Sequence, residues 1–254
     1  MELNIYQLSN NFKSTGAKDH PFFWINGAEN LVPNLVECID IIGYEPLVKN
    51  VNEFSNPREN EIKELFQKYG SDKFIHGYYK YYSNVLSNTT DLDILEIGIG
   101  TKDPTIPSTM FFYKEDKNFE STPGSSLRSF RDFVKGSSIY GADIDKTILF
   151  EEDGIKTEFV DQLDRKSIDS LFIDTQKDFD FIIIDGLHHI TADMNSILSL
   201  IKRLKDNSTL VVEDIVIFEN WKVVDFILSK IDGYSTYFIK DEDDGNYMYS
   251  ITKN

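Results

Sequence analysis

The feature that most restricts the fold of this chain lies between residues 93 and 215. Five short apolar runs, DILEIGI, SIYGADI, TEFVDQ, FDFIIID and TLVVEDI, are separated by helical segments or by spacers long enough for crossovers. The run from Phe179 to Ile184 is close to continuously apolar, the pattern of a strand buried on both faces of a parallel sheet. After the fourth run, TADMNSILSLIKRLKDN places Met194, Ile197, Leu198, Ile201 and Leu204 on one helical face. FENWKVVDFILSKI shows the same stripe ahead of two further strand candidates, STYFIK and YMYSIT, which Asp244-Gly245 joins as a hairpin signal. Strands and helices in alternation, closed by an antiparallel hairpin, predict an α/β fold. The sheet is expected to be Rossmann-like, doubly wound, seven-stranded and mostly parallel.

The N-terminal part reads differently. Pro21, Pro33, Pro46 and Pro57 interrupt any long element, and the short apolar pieces FFWING and LVECIDIIGY suggest small helices lying against something else. From Asn56 the pattern sharpens: NPRENEIKELFQKYG offers a capping Asn, a Pro at the first helical position and Gly70 as a stop. The aromatic-rich HGYYKYYSNVLS is expected to form the next helix. The resulting division is an irregular helical extension over residues 1–60, acting as a lid or dimer arm, and an α/β domain over 61–254.

Charge narrows the partners. With 43 acidic against 26 basic residues the formal net charge is −17, which argues against nonspecific nucleic-acid or anionic-membrane binding. No apolar run approaches the length of a membrane span, and MELNIYQLSNNFK lacks the basic-then-apolar layout of a secretory signal. A single cysteine, Cys38, excludes an internal disulfide and suits a reducing cytoplasm. The expected partner is a small molecule, with a homo-oligomer left open.

In a doubly wound sheet, ligands bind beyond the carboxyl ends of the strands, so the residues ending each strand matter most. The first strand ends Glu96-Ile97-Gly98-Ile99-Gly100, a turn that admits close backbone approach. A dinucleotide fingerprint needs a third glycine where Asp103 stands, and a long insertion (102–124) intervenes before the next helix, around SLRSFRDFV. Both observations argue against a nicotinamide dehydrogenase. The second strand ends at Asp143, whose carboxylate suits two ribose hydroxyls, and the third at Asp161-Gln162, which could meet an adenine edge. Each taken singly is equally explained as a helix or turn cap.

The fourth strand ends at Asp185 and the fifth at Glu213-Asp214. Neighbouring strands would bring three carboxylates to one rim, where like charges raise each other's pKa unless a cation neutralises them. Oxygen-only ligation suits Mg²⁺, Mn²⁺ or Ca²⁺. Adjacent strand residues point to opposite faces, so Glu213 and Asp214 share a metal only if the strand bends or ends between them. Otherwise Glu213 serves another partner. His188, three residues past Asp185, could take a proton in the same cavity; His189 looks like the spare.

Together these residues resemble class I S-adenosylmethionine-dependent methyltransferases. Within that class the chain resembles the metal-dependent sugar O-methyltransferases of macrolide and bacterial surface-saccharide biosynthesis. The resemblance runs from about Glu61 to Lys253 through KYGSDKFIHGYY, LEIGIGT, GSSLRSFRDFVKGSSIYGADID, FVDQLD, IIIDGLHH and LVVEDI. It implies that Glu96, Gly98 and Gly100 line the methionine and ribose end of an S-adenosylmethionine site, with Asp143 on the ribose and Asp161 and Gln162 near the adenine. It further implies Mg²⁺ on Asp185, Glu213 and Asp214, His188 as general base, and Ser71 and Lys73, near His76, closing over cofactor or substrate. The implied acceptor is a sugar hydroxyl, with a nucleotide-linked heptose or hexose of a capsule or surface polysaccharide as the expectation. Such a carrier needs local cations, with Lys73, Arg128 and Arg131 as candidates. Competing readings are the same fold acting on a catechol or a phosphorus-linked oxygen, a non-catalytic nucleoside-binding module, and a metal-dependent hydrolase. The chain departs from the family where one acid, Asp185, follows Ile184 in place of an acid pair.

Overall fold

The structure, a computed structural model, describes residues 31–87, 89–106, 122–175, 177–241 and 245–254. FFWING, most of the insertion after Gly100, and Asp244 of the hairpin signal lie outside the described residues.

In chain order the elements are α1 (Leu31–Ile42), β1 (Val48–Asn50), α2 (Glu59–Tyr69), α3 (Tyr78–Leu86), β2 (Asp93–Ile97), α4 (Ser125–Phe133), β3 (Ser138–Asp143) and β4 (Glu151–Glu152). There follow β5 (Ile155–Phe159), α5 (Arg165–Asp169), β6 (Phe179–Ile184), α6 (Ile190–Leu200), β7 (Leu204–Val212), α7 (Phe218–Leu228), β8 (Tyr234–Lys240) and β9 (Tyr247–Lys253). The described chain forms two compact units. The smaller takes in residues 31–46 and Ile217–Ile227. Within it the Tyr44 hydroxyl donates to Asp225 Oδ2 at 2.5 Å and the Tyr44 ring meets Phe226 edge-on at 5.1 Å.

The larger unit holds one sheet in the order β1-β8-β9-β7-β6-β2-β3-β5-β4. The β2 strand pairs in parallel with both β3 and β6, β3 with β5, and β6 with β7, whereas β9 runs antiparallel between β7 and β8. From β2 the chain winds outward through β3 and β5, then returns to β6 on the other side. The switch point therefore lies between β2 and β6, where such sheets bind ligands. The sheet has nine strands rather than the expected seven. The additions are the edge pieces β1 and β4, three and two residues long, too short to show a period of two in the sequence.

One face of the sheet carries the core that fixes the site. Ile94 on β2, Ile183 on β6 and Val211 on β7 join Ile62 and Phe66 of α2, Tyr82 of α3 and Leu127 and Phe130 of α4 in a single buried cluster. Strand side chains alternate, so the residues two positions on, Glu96, Asp185 and Glu213, belong to that same face at the strands' carboxyl ends. Register places Glu96 beside Ile183, Ile97 beside Ile184, and Ile184 beside Val212, so Asp185 and Glu213 stand level on adjacent strands about 4.8 Å apart, with Glu96 two residues earlier on β2.

Two local expectations are corrected. The periodic segment after the fourth strand ends as a helix at Leu200, and after a short turn Leu204 opens β7, pairing with Phe179 across a register shift. Burial of Leu204 in the sheet overrides its place on the helical stripe. Asn56 does not cap α2: its side chain accepts from the Arg58 amide at 2.9 Å in a turn ahead of the helix. Gly70 does end α2, at φ 78°. Among the described residues no helix is long and apolar enough to cross a membrane.

Candidate functional site

A cavity of about 480 Å³ opens at the carboxyl ends of β2, β3, β5, β6 and β7. All the sequence-derived site residues line it: Ser71, Lys73, Glu96, Gly98, Gly100, Asp143, Asp161, Gln162, Asp185, His188, Glu213 and Asp214.

The turn after β2 needs its glycines. Gly98 adopts φ 87° and Gly100 φ 88°, and a methyl group on Gly98 would overlap the Asp185 carbonyl, so glycine lets the two loops touch at the switch point. One oxygen of Glu96 accepts from Ser126 Oγ at 2.5 Å. The other, Oε1, is buried without a hydrogen-bond partner, its nearest cation being Lys73 Nζ at 3.3 Å. An orphaned carboxylate oxygen on a cavity wall suits a cationic amine such as that of S-adenosylmethionine.

Asp143 accepts from the Ile99 amide at 2.8 Å on Oδ2 and from the Asp145 amide at 2.9 Å on Oδ1. These bonds fix the carboxylate and leave further lone pairs for a ligand's hydroxyls. Burial raises its pKa, and the two amides oppose that rise. Asp161 accepts from the Leu163 amide at 2.9 Å through one oxygen. Gln162 is committed within the protein: Oε1 accepts from the Leu187 amide at 2.9 Å and Nε2 donates to Ser196 Oγ at 3.1 Å. It ties the loop after β5 to the loop after β6, and no room remains at Gly186 for a side chain against its amide.

Opposite, the acids converge on a buried lysine. Lys73 Nζ lies 2.5 Å from Asp185 Oδ2 and 2.8 Å from both oxygens of Glu213. Ser71 Oγ sets up the short turn Asp72–Phe74 that carries it. Burial alone would lower the Lys73 pKa, but Asp185, Glu213 and Glu96 outweigh it and hold the ammonium charged. Glu213 also accepts from the Tyr82 hydroxyl, and burial with the Asp185 charge pushes its pKa to about 8. Three carboxylates, those of Asp185, Glu213 and Glu96, thus face one ammonium, and Asp214 lies close enough to raise the Asp185 pKa further. That excess of negative charge, presented by oxygen donors, fits a hard divalent cation.

Glu213 and Asp214 diverge, because the strand ends at Val212 and Asp214 adopts φ 53°. Glu213 turns to Lys73, while Asp214 enters the cavity, with Oδ1 accepting from the Tyr78 hydroxyl at 2.9 Å. His188, itself at φ 50°, places Nε2 3.7 Å from Asp185 Oδ1 and 3.9 Å from Asp214 Oδ2. Among the described residues, Asp185, His188 and Asp214 form the group whose ligand atoms lie within 4.8 Å of one another. Sequence reasoning grouped Asp185, Glu213 and Asp214; the structure brings His188 into that set and puts Glu213 on the lysine. His189 caps α6, its Nδ1 accepting from the Thr191 amide at 3.3 Å.

No family model matches the chain. Among curated proteins it is similar to 8-demethyl-8-alpha-L-rhamnosyl tetracenomycin-C 2'-O-methyltransferase of Streptomyces olivaceus, 28% identical over 154 residues, or 59% of this chain. The chain spans only 36% of the length of that relative. Among solved structures it is similar to the MycE methyltransferase of the mycinamycin biosynthetic pathway in complex with Mg, SAH and mycinamycin VI. That similarity has a TM-score of 0.56 and 22% identity over 76% of this chain and 53% of the other. The chain shares the fold of that methyltransferase.

On this fold, Glu96 and Asp143 stand at the carboxyl ends of β2 and β3 and Asp161 just after β5 on one side of the switch point, and Asp185, His188 and Asp214 follow β6 and β7 on the other. Sequence reasoning missed Tyr78, Tyr82 and Ser126. The two tyrosines sit four residues apart on α3, inside the aromatic run HGYYKYY. A hydroxyl-bearing aromatic at helical spacing beside Lys73 was the available signal, but it is indistinguishable in sequence from a plain core stripe. The expected cations are all engaged: Arg128 pairs with Glu152 at 2.6 Å and Arg131 with Asp132 at 3.0 Å, as Lys73 does with the acids.

Proposed function

We propose that this chain transfers the methyl group of S-adenosylmethionine to a hydroxyl of a sugar. One observation carries the reading: a single cavity joins the orphaned Glu96 Oε1 and the amide-fixed Asp143 to the facing set Asp185, His188 and Asp214. The similarity to a rhamnosyl 2'-O-methyltransferase favours a sugar acceptor over a catechol.

In this reading Glu96 receives the cofactor's amino group and Asp143 its ribose hydroxyls. Asp161 faces the base through its uncommitted oxygen, and Gln162 holds the wall behind it. Asp185 and Asp214 would hold Mg²⁺, with Glu213 setting Lys73 behind them. A bound divalent cation supplies charge that favours the acceptor's alkoxide form. Mg²⁺ prefers oxygen, which leaves the His188 imidazole free to act as base. With the cofactor bound, His188 Nε2 would take the hydroxyl proton as the acceptor oxygen receives the sulfonium methyl, the C–O bond forming as the C–S bond breaks. S-adenosylhomocysteine leaves.

The sequence suggested a nucleotide-linked heptose or hexose for a surface polysaccharide. Among the described residues lining the cavity Lys73 is the sole lysine or arginine, and it is bound to carboxylates. That charge balance favours a sugar on an uncharged carrier over a nucleotide sugar. The test is calorimetric titration of S-adenosylmethionine with Mg²⁺ and then with EDTA. Binding in both conditions, with turnover of a glycoside only in Mg²⁺, supports the reading. Absence of cofactor binding in both removes it.

A further inference from the structure

The two carboxylates that face His188 are each held by one oxygen. Asp185 Oδ2 accepts from Lys73 Nζ at 2.5 Å and Asp214 Oδ1 from the Tyr78 hydroxyl at 2.9 Å. The remaining oxygens, Asp185 Oδ1 and Asp214 Oδ2, are those turned toward His188 Nε2, at 3.7 and 3.9 Å. Both donors are rigidly placed. Lys73 is 2% exposed, and Tyr78 is fully buried at the start of α3, where the Gly77 amide donates to Asp241 Oδ2 at 2.5 Å.

We propose that Lys73 and Tyr78 are positioning residues that limit Asp185 and Asp214 to one oxygen each toward a cation, and so make the site select Mg²⁺ over Ca²⁺. The inference rests on the metal reading above. Ca²⁺ takes six to eight oxygens and commonly binds carboxylates through both. Mg²⁺ requires an octahedron, uses few carboxylate oxygens and keeps several waters. A carboxylate whose second oxygen is held by an ammonium or a phenol can serve the second ion and not the first without breaking a hydrogen bond inside the protein. Removing the Tyr78 hydroxyl frees Asp214 Oδ1 while keeping the ring's volume.

The test titrates MgCl₂ and CaCl₂ separately into the full chain and into Tyr78→Phe by calorimetry. The ratio of the two dissociation constants is expected to move about tenfold toward Ca²⁺ in the variant, the scale on which groups behind metal ligands act. A merely structural role would weaken both ions together and leave the ratio unchanged, which would overturn the inference. Failure of the wild-type chain to bind Mg²⁺ removes the metal reading and the inference with it; binding with an unchanged ratio removes the inference alone. A second measurement needs no variant. With Mn²⁺ bound to the wild-type chain, counting coordinated waters by electron-nuclear resonance should find about four of six positions filled by water. Three or fewer would mean that at least one carboxylate binds through both oxygens, against the inference.

Discussion

Lys73 Nζ stands 2.8 Å from both carboxylate oxygens of Glu213, and the two side chains are 2% and 3% exposed. A buried pair of this kind adds little net stability when whole, because desolvation offsets attraction, but breaking it strands a buried charge. Lys73→Met should therefore destabilise the protein by about 3–5 kcal/mol near pH 8. The loss should shrink in acid, where Glu213 and Asp185 take up protons. Urea melts at two pH values check this, and an equal loss at both would sink it.

Asp193, in the first turn of α6, is 4% exposed, and burial pushes its pKa from 3.8 to about 7, opposed by the nearby His188. A carboxyl whose pKa is raised on folding contributes stability present below its unfolded value, which is lost as pH rises through the folded one. The window is pH 4 to 7, and at about 1.4 kcal/mol per pH unit the span is on the order of 4 kcal/mol. Asp193→Asn keeps the shape and removes the ionisation. Its melting temperature should match the wild type near pH 4 and exceed it by several degrees at pH 8; a difference that does not change with pH would refute the assignment.

His188→Ala should lower kcat by about 10²–10⁴, the usual contribution of a general base. Cofactor affinity should stay unchanged, because Glu96 and Asp143 lie across the switch point from it. Calorimetry beside steady-state kinetics tests both halves, and a variant that retains full turnover would remove the base.

Asp143→Asn replaces one acceptor with a donor that must face either the Ile99 or the Asp145 amide. Weaker S-adenosylmethionine binding by roughly 10- to 100-fold follows, equivalent to about 1–3 kcal/mol for a buried hydrogen-bonding group left unsatisfied. Unaltered affinity by calorimetry would place the cofactor's ribose elsewhere.

The larger tertiary class was legible in the chain because each strand of the sheet's centre is a short apolar run and each crossover helix carries its own stripe. DILEI, SIYGAD and FDFIII announce buried strands through local composition alone. Glu96, Asp143, Asp185 and Asp214 were legible for a related reason: in a doubly wound sheet the residue that ends a strand is already at the binding rim. The edge strands β1 and β4 and the start of β7 at Leu204 were not legible, since pairing with a distant strand, not local period, makes them strands. The partition of the acids was also beyond the sequence. Glu213 and Asp214 are adjacent and chemically alike, and only the end of β7 at Val212, with the turn at Asp214, sends one to Lys73 and the other to Tyr78 and His188. Residues 112 and 140 positions apart meet at Lys73. Local sequence determines which elements form and what each strand ends with; which charges then neutralise one another is decided by long-range packing, because electrostatic pairing depends on distance in space and not along the chain.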